Sequence, residues 1–591
     1  MKRCYKYFLL LTLSSTYATA TCAQALDQLG IKKGVKINGS VSANTVAYMA
    51  AGIDSRRDPF NWFLQGNLNL SLFGYSMPFS FSYSNQNRSF SQPFNRFQFA
   101  PSYKWAKAYL GTTSMAFSNY TLAGHMFDGV GVELSPGKWR VSVMQGRLLK
   151  AVPFDIANKE SYNSAAFERK GYGIKAGFDN NGNSYSFSLF KALDNVGSLE
   201  FIPIDATLSP KENVAAAVAV RQTIWKRLFM DMEYSVSALN RDVRSSKSVE
   251  DSSSNKGQYN FLKSWLSPTQ TTTYFDALQS GIGFTGNFYN VQLRYERVAP
   301  GYTTLGAYNV INDLRNITVA PTLQLFSGRL NLAANAGVQD NNLDRDKAST
   351  THRWVGSGNL SFMPNEKWLF NTSYSNFSTI TRVRPLTDPF FNNPLDSLNF
   401  YQVNTTYNGM ASYSFGSKEV KHSMMTNLSY QKASDKQWQP QSQQQQISAF
   451  YTGNIGYTYN LIPKGFSLTA GGNYYVQEAP DMQTTFLGPS INASRVLMKK
   501  KLRLSTSSAY NITHATISGA STKSAVWNAG FQASFAPKAR ETTSVTDSEK
   551  KKGINGKHAI NVAVNYLNQS AVANRPSFSE LTATVGYNWS F

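Results

Sequence analysis

Apolar residues recur at every second position from one end of this chain to the other. In WFLQGNLNLSLF, Trp62, Leu64, Leu68, Leu70 and Leu72 fall on one face, with Gln65, Asn67, Asn69 and Ser71 opposite. VKINGSVSANTVA groups Val35, Ile37, Val41, Ala43 and Ala47. NVAAAVAVRQ groups Val214, Ala216, Val218 and Val220. RLNLAANAGV does so with Leu330, Leu332, Ala334, Ala336 and Val338, and INVAVNY with Ile560, Val562, Val564 and Tyr566. Such a period marks β-strands with one apolar face. The segments run for about ten to thirteen residues, enough to cross a bilayer as tilted strands. No helical heptad, long apolar run or Pro-rich linker interrupts them, so nothing marks a domain seam.

A soluble β-sandwich also alternates, as would a β-solenoid. Two features separate this chain from both. Charged residues are only 16% of the sequence, against about 25% in soluble domains, while mean hydropathy is too low for a helical membrane protein. A transmembrane β-barrel satisfies both, because only alternate strand residues meet lipid. Second, the connections are asymmetric. Short turns fall at residues 105–107, 135–138, 179–183, 225–227, 286–288, 326–329, 365–367, 416–419, 461–465 and 498–501. Longer polar stretches lie between them, the largest at roughly residues 242–273. Short periplasmic turns and long extracellular loops are the outer-membrane pattern. The expected fold is all-β: a single antiparallel transmembrane β-barrel of about 26 strands (24–26), spanning 35–591. The even count requires RFQFAPSYK (96–104) to be a strand.

The N-terminus reads as a secretory signal peptide over 1–23. Lys2, Arg3 and Lys6 precede an apolar run from Phe8 to Leu13 and then small residues, with cleavage expected after Ala23 or Ala25. Cys4 and Cys22 are the only cysteines, so the mature chain is expected to lack disulfides and Cys-based metal sites. Acylation at Cys22 is the alternative leader reading. Residues 24–34 form a short periplasmic segment in this reading. The stretch 537–557, charged and poor in apolar residues, reads as a flexible insertion at the periplasmic side, either a tolerated linker or a strap for a periplasmic partner or peptidoglycan.

The last strand, ELTATVGYNWSF, resembles the recognition strand of bacterial outer-membrane β-barrel proteins. The resemblance implies that Val585, Tyr587, Trp589 and Phe591 form the signal read by the barrel-assembly machinery. The hairpin DGVGVELSPGKWRVSVMQGRL (128–148) is similar to ones in large outer-membrane proteins of the Bacteroidota. The chain departs from the best-known large barrels. A first strand by Val35 leaves no room for the plug of TonB-dependent receptors, or for the periplasmic domains of lipopolysaccharide-assembly and barrel-assembly proteins. The fatty-acid channel family is smaller and has an N-terminal hatch.

The net charge of +23 does not indicate nucleic acid, because the lysines are spread over short turns instead of a basic groove. Lys107, Lys138, Lys226, Lys367, Lys418, Lys464 and Lys499 to Lys501 would sit near inner-leaflet phosphates. The expected partners are the lipid bilayer and lipopolysaccharide, the assembly machinery, and an outer-membrane or periplasmic protein. The five histidines, His125, His352, His422, His514 and His558, form no metal-ligand pair. His125 and Asp128, three apart on a strand, point to opposite faces. No GxSxG elbow occurs. No catalytic, cofactor or metal site is expected. Arg147, Arg221, Arg294 and Arg495 are expected to line the lumen or sit at its rim.

An empty barrel this wide would breach the membrane, since diameter grows with strand number. The first functional reading is therefore a non-enzymatic component of a transport, secretion or assembly complex, its lumen occupied by loops or a partner. The alternative is a channel or porin for polar solutes, gated by infolded loops. A third reading is a membrane-embedded hydrolase.

Overall fold

The computed structural model describes residues 35–85, 95–154, 165–203, 207–247, 260–345, 352–376, 379–381, 401–435, 447–480, 482–537, 556–571 and 576–591. The expected leader, the 24–34 segment and residues 538–555 of the charged insertion lie outside them.

The strands, in chain order, begin with β1 (Val35–Ala51), β2 (Phe60–Leu72), β3 (Tyr75–Ser84), β4 (Arg96–Phe99), β5 (Ser102–Tyr103), β6 (Ala106–Ala116) and β7 (Ala123–Leu134). Next come β8 (Trp139–Leu149), β9 (Arg169–Asn180), β10 (Asn183–Asp194), β11 (Glu212–Trp225), β12 (Leu228–Asn240), β13 (Thr272–Thr285) and β14 (Tyr289–Val298). They continue with β15 (Leu314–Leu325), β16 (Leu330–Asp340), β17 (His352–Asn365), β18 (Trp368–Ser375), β19 (Thr379–Thr381), β20 (Tyr401–Gly416) and β21 (Val420–Asp435). The last are β22 (Ile447–Leu461), β23 (Phe466–Ala479), β24 (Met482–Leu497), β25 (Leu502–Ile517), β26 (Ala520–Phe535), β27 (Lys557–Gln569) and β28 (Phe578–Ser590).

Two staves are broken. β4 and β5 both lie between β3 and β6, and β18 and β19 both pair with β20. The twenty-eight strands thus make a closed antiparallel barrel of twenty-six staves, as the alternation predicts. The 96–104 stave breaks at Pro101, which has no N–H to give. The ladder is carried across the break by Ala100 N–H to the Pro78 carbonyl and Ala108 N–H to the Pro101 carbonyl, each 2.9 Å.

Closure comes from β1 and β28, in register from Ser40 opposite Ser590 to Ala51 opposite Ser579. Gly39 and Phe591 then exchange two backbone hydrogen bonds of 2.9 Å. Closure leaves no unpaired edge for lipid, which cannot satisfy backbone groups.

The tightest hairpins at either end use two-residue turns with positive φ at both positions. Asn181–Gly182 (49° and 86°) and Ser518–Gly519 (48° and 82°) are examples, the geometry that matches strand twist. The exposed Phe73, Trp105, Trp139, Trp225 and Phe288 ring the short-turn end, where aromatics settle at a membrane interface. Between the ends, Val218, Ile282, Leu293, Ile455 and Ile491 are exposed on the outer face. This apolar belt and aromatic girdle make the chain a barrel of the outer-membrane type. In that setting short turns face the periplasm and long loops the exterior.

Candidate functional site

The lumen is the one concave surface that all staves share, and its two sides differ. On the side of β7 to β14, inward positions mix apolar residues, charged groups such as Arg169 and Asp194, and buried polar residues such as Asn213, Ser235 and Ser237. Phe127, Met144, Leu148 and Phe190 point inward and are almost fully buried. What buries them is the chain itself. The β6–β7 connection (117–122) and the β14–β15 connection (299–313) fold into the barrel and pack against this wall. Tyr120, Leu122, Tyr302 and Leu305 join the same apolar cluster.

Hydrogen bonds hold this shelf at many points. The Tyr302 hydroxyl donates to the Tyr120 carbonyl (2.7 Å) and lies 2.9 Å from Ser235 Oγ on β12. Ser237 Oγ donates to the Thr303 carbonyl (2.7 Å), and Thr304 Oγ1 to the Thr121 carbonyl (2.8 Å). Asn213 of β11 accepts from Leu305 N–H (3.0 Å) while its amide donates to Ser237 Oγ (2.8 Å) and the Ala238 carbonyl (2.9 Å). Lys175 Nζ donates to the Phe117 carbonyl at 2.6 Å. Gly306 is required where the loops cross: a Cβ there would lie 2.5 Å from the Thr121 carbonyl oxygen and 2.8 Å from the Phe190 ring.

Burial raises the phenols of Tyr120 and Tyr302 above their ordinary value of 10.0. The Glu296 carboxylate adds to this at Tyr120, and those of Glu233 and Asp276 at Tyr302. Both therefore remain hydrogen-bond donors, and Tyr120 donates to Glu296 at 2.9 Å.

A second loop docks on the outside. In the β12–β13 connection, Leu262 and Leu266 are buried against the outward Val214, Ala216, Val236 and Ala238. Trp265 beside them is exposed, and its carbonyl accepts from Lys191 Nζ at 2.7 Å. The largest predicted loop thus covers the outer wall near the long-loop end, while residues 248–259 lie outside the described set.

His125 and Asp128 do point to opposite faces. His125 is inward, stacked on Tyr308 of the shelf with ring centroids 4.2 Å apart. Asp128 is outward and bonds Arg147 at 2.8 Å. Two of the four arginines enter the lumen. Arg221 lies over the Phe229 ring, and Arg294 bonds Gln292, which bonds Asp231. Arg147 and Arg495 are on the outer face and line no lumen. Parity alone carries this signal: Arg147 shares its face with Val141 and Val143, and Arg495 with Ile491 and Ala493. Around Arg147 the outer wall holds a concavity of about 530 Å³ lined by Asp128, Gln145, Glu168, Lys170 and Tyr172. Lys170 bonds Glu168 at 3.3 Å.

Val585, Tyr587 and Trp589 face outward along the seam, between β27 and β1. Tyr587 OH lies 2.7 Å from His558 Nδ1, and the Trp589 and Phe591 rings are 4.4 Å apart. Among the described residues, no three His, Cys, Asp or Glu side chains gather as a metal site.

The opposite side, β18 to β27, presents many amides and hydroxyls together with a buried apolar patch of Ala433, Phe450, Tyr475 and Phe486. Between Lys421, Arg503 and Lys557 at the short-turn rim and Asp435 at the long-loop end of β21, its described inward positions carry no Asp, Glu, Lys or Arg. A cavity of about 790 Å³ opens low on the adjoining wall, with Asn331, Asn359, Asn371, Asn408 and Asn427 in its lining. One described connection at the long-loop end here, 518–519, is only two residues long, while residues 382–400 and 436–446 lie outside the described set. A turn that short cannot fold inward.

No protein-family model matches the chain, and no curated protein matches it. Solved structures overlap it only loosely. The FrpB iron transporter from Neisseria meningitidis overlaps 95% of this chain and 83% of its own, at 9% identity and a TM-score of 0.37. OccAB2 from Acinetobacter baumannii overlaps 65% and 93%, at 9% identity and 0.26. A mutant porin from Rh. blastica overlaps 55% and 98%, at 11% identity and 0.25. Overlaps this loose do not bear on activity.

Proposed function

We propose that the chain is a non-enzymatic transport barrel that passes polar solutes through a lumen narrowed by its own infolded loops. The observation that carries this reading is the contrast across the lumen. One wall is filled by a hydrogen-bonded shelf, and the wall facing it carries a row of neutral amides. The shelf answers the problem of an over-wide pore without a separate plug. Purified protein in planar bilayers is expected to give a stable conductance with little preference between small cations and anions. A barrel that is folded by heat-shift on SDS gels yet gives no conductance would overturn the reading.

A second reading, a component of a larger transport, secretion or assembly complex, is favoured by the outer concavity on β7 to β9. Three apolar outward residues on β7, Leu134, Val132 and Val130, precede Asp128. Along a strand tilted by 35–45° this is roughly 14–17 Å of height, short of the ~25 Å apolar band. A protein partner there would relieve lipid of the Asp128–Arg147 pair. Stoichiometric co-purification in mild detergent, lost on Arg147→Leu with Asp128→Leu, is the expected result. The resemblance of residues 128–148 to Bacteroidota barrels belongs to this proposal as well.

A further inference from the structure

The asparagines of the neutral wall are not scattered. Asn331 on β16 is opposite Ser361, which is opposite Asn371 on β18; Asn371 is opposite Met410, and Met410 opposite Asn427. Asn427 is opposite Asn454, Asn454 opposite Asn473, and Asn473 opposite Gly488. At Gly488 the row continues through Asn511 of β25. A Cβ on that glycine would lie 1.8 Å from Asn511 Oδ1, so its absence gives the amide its place. All these side chains face the lumen, since their strand neighbours Leu428, Ile455, Tyr474 and Leu487 are exposed on the outer wall.

Rows of opposed residues run perpendicular to tilted strands. With strands about 4.8 Å apart and tilted by 35–45°, each stave lifts the row by about 3 Å. From Asn331, beside the short-turn rim, the row therefore climbs roughly 20 Å by the time it reaches Gly488. It begins at the 790 Å³ cavity, which also takes in Asn359 and Asn408 of the neighbouring row.

We propose that this oblique row of amides is the track for a neutral, hydroxyl-rich solute, a carbohydrate or polyol. The inference rests on the transport reading. Each asparagine offers a carbonyl acceptor and an amide donor at one point, which matches a hydroxyl that both donates and accepts. A row of amides, interrupted at Ser361, Met410 and Gly488, lets a solute exchange partners stepwise along the wall, and no charge along it traps an ion. Asn331, Asn371, Asn427, Asn454 and Asn473 are each only half-buried, so their amides are open to a solute in the lumen.

The test uses the full-length barrel in planar bilayers, with maltohexaose as the neutral probe and hyaluronan hexasaccharide as the charged one. Maltohexaose is expected to block the conductance transiently and the charged probe at least 10-fold less well. In Asn371→Leu/Asn427→Leu/Asn454→Leu, maltohexaose block should weaken at least 10-fold, with ionic conductance kept within about 2-fold. The same change off the row, Asn565→Leu, should leave block unaltered and serves as the folding control. Conductance without maltohexaose block, or equal block in the triple variant, overturns the track while the transport reading stands. If neither protein conducts, calorimetry in detergent decides. Maltohexaose binding that the triple variant loses supports the amide row as a carbohydrate site and removes the transport reading; no binding overturns both.

Discussion

Asn213 on β11 and Asn427 on β21 are both inward asparagines near the middle of the chain's alternating pattern, and they do different work. Asn213 is completely buried, bonded to Leu305, Ser237 and Ala238, and so fixes a loop to the wall. Asn427 lies half-buried on the facing wall of the lumen, in a row with Asn371, Asn454 and Asn473. The difference comes from the connections. On the β7–β14 side they are long enough to turn inward and carry apolar residues that need cover, such as Tyr120, Leu122 and Tyr302. Among the described residues the facing wall has no such shelf: inward side chains there range from buried, as in the Phe450, Tyr475 and Phe486 cluster, to half-buried, as at Asn427, Asn454 and Asn473. One wall thus reduces the bore, and the other sets its chemistry.

The largest effect is expected at the seam between β1 and β28, beside the polar wall. Trp589→Asp, or removal of Phe591, should lower the amount of barrel in the membrane by roughly 10-fold or more, read by surface labelling and heat-shift. A charge on the lipid face costs about 2–4 kcal/mol at mid-membrane and less at the interface, so most of the loss should arise in assembly. Normal surface levels would remove Val585, Tyr587, Trp589 and Phe591 from the assembly signal.

Next is the shelf. Tyr302→Ala removes a ring that is 1% exposed, and buried aromatic truncations cost about 3–5 kcal/mol. The 299–313 loop should detach, with raised conductance and new protease cleavage there, while the rest of the barrel stays heat-stable. An unchanged conductance would mean that the shelf does not limit the bore. A smaller contrast comes from the paired asparagines. Asn213→Ala should destabilise by about 1–3 kcal/mol, because it strands buried partners. Asn427→Ala should shift stability by under about 0.5 kcal/mol. Equal thermal shifts in the two variants would erase the distinction between the walls.

The mildest test is pH. Tyr120 and Tyr302 hold their protons more tightly folded than unfolded. Their contribution is complete below the unfolded phenol value of about 10 and falls as pH rises past it. Protease protection of the shelf should hold at pH 9 and weaken above about pH 10.5, and Tyr302→Phe should blunt that change.

Much of this molecule was legible in order along the chain. Alternation at Trp62 to Leu72 or Ile560 to Tyr566 fixes which face meets lipid, because a strand's side chains have a period of two whatever surrounds them. Turn signals such as Asn181–Gly182 locate the reversals, and the need to close a sheet in lipid makes the count even. The outward position of Arg147 and Arg495 was equally local, since both share parity with apolar neighbours. The shelf was not legible. Nothing in the sequence near Tyr302 indicates that its hydroxyl will meet Tyr120, because that contact joins loops eight staves apart through the barrel interior. Nor was the amide row, since Asn331, Asn427 and Asn511 come into line only through strand register. The sequence by itself determined that the chain closes into a barrel and which side chains face in. The tertiary structure decided which of those side chains are covered and which line up, because both depend on pairings between residues far apart in the chain.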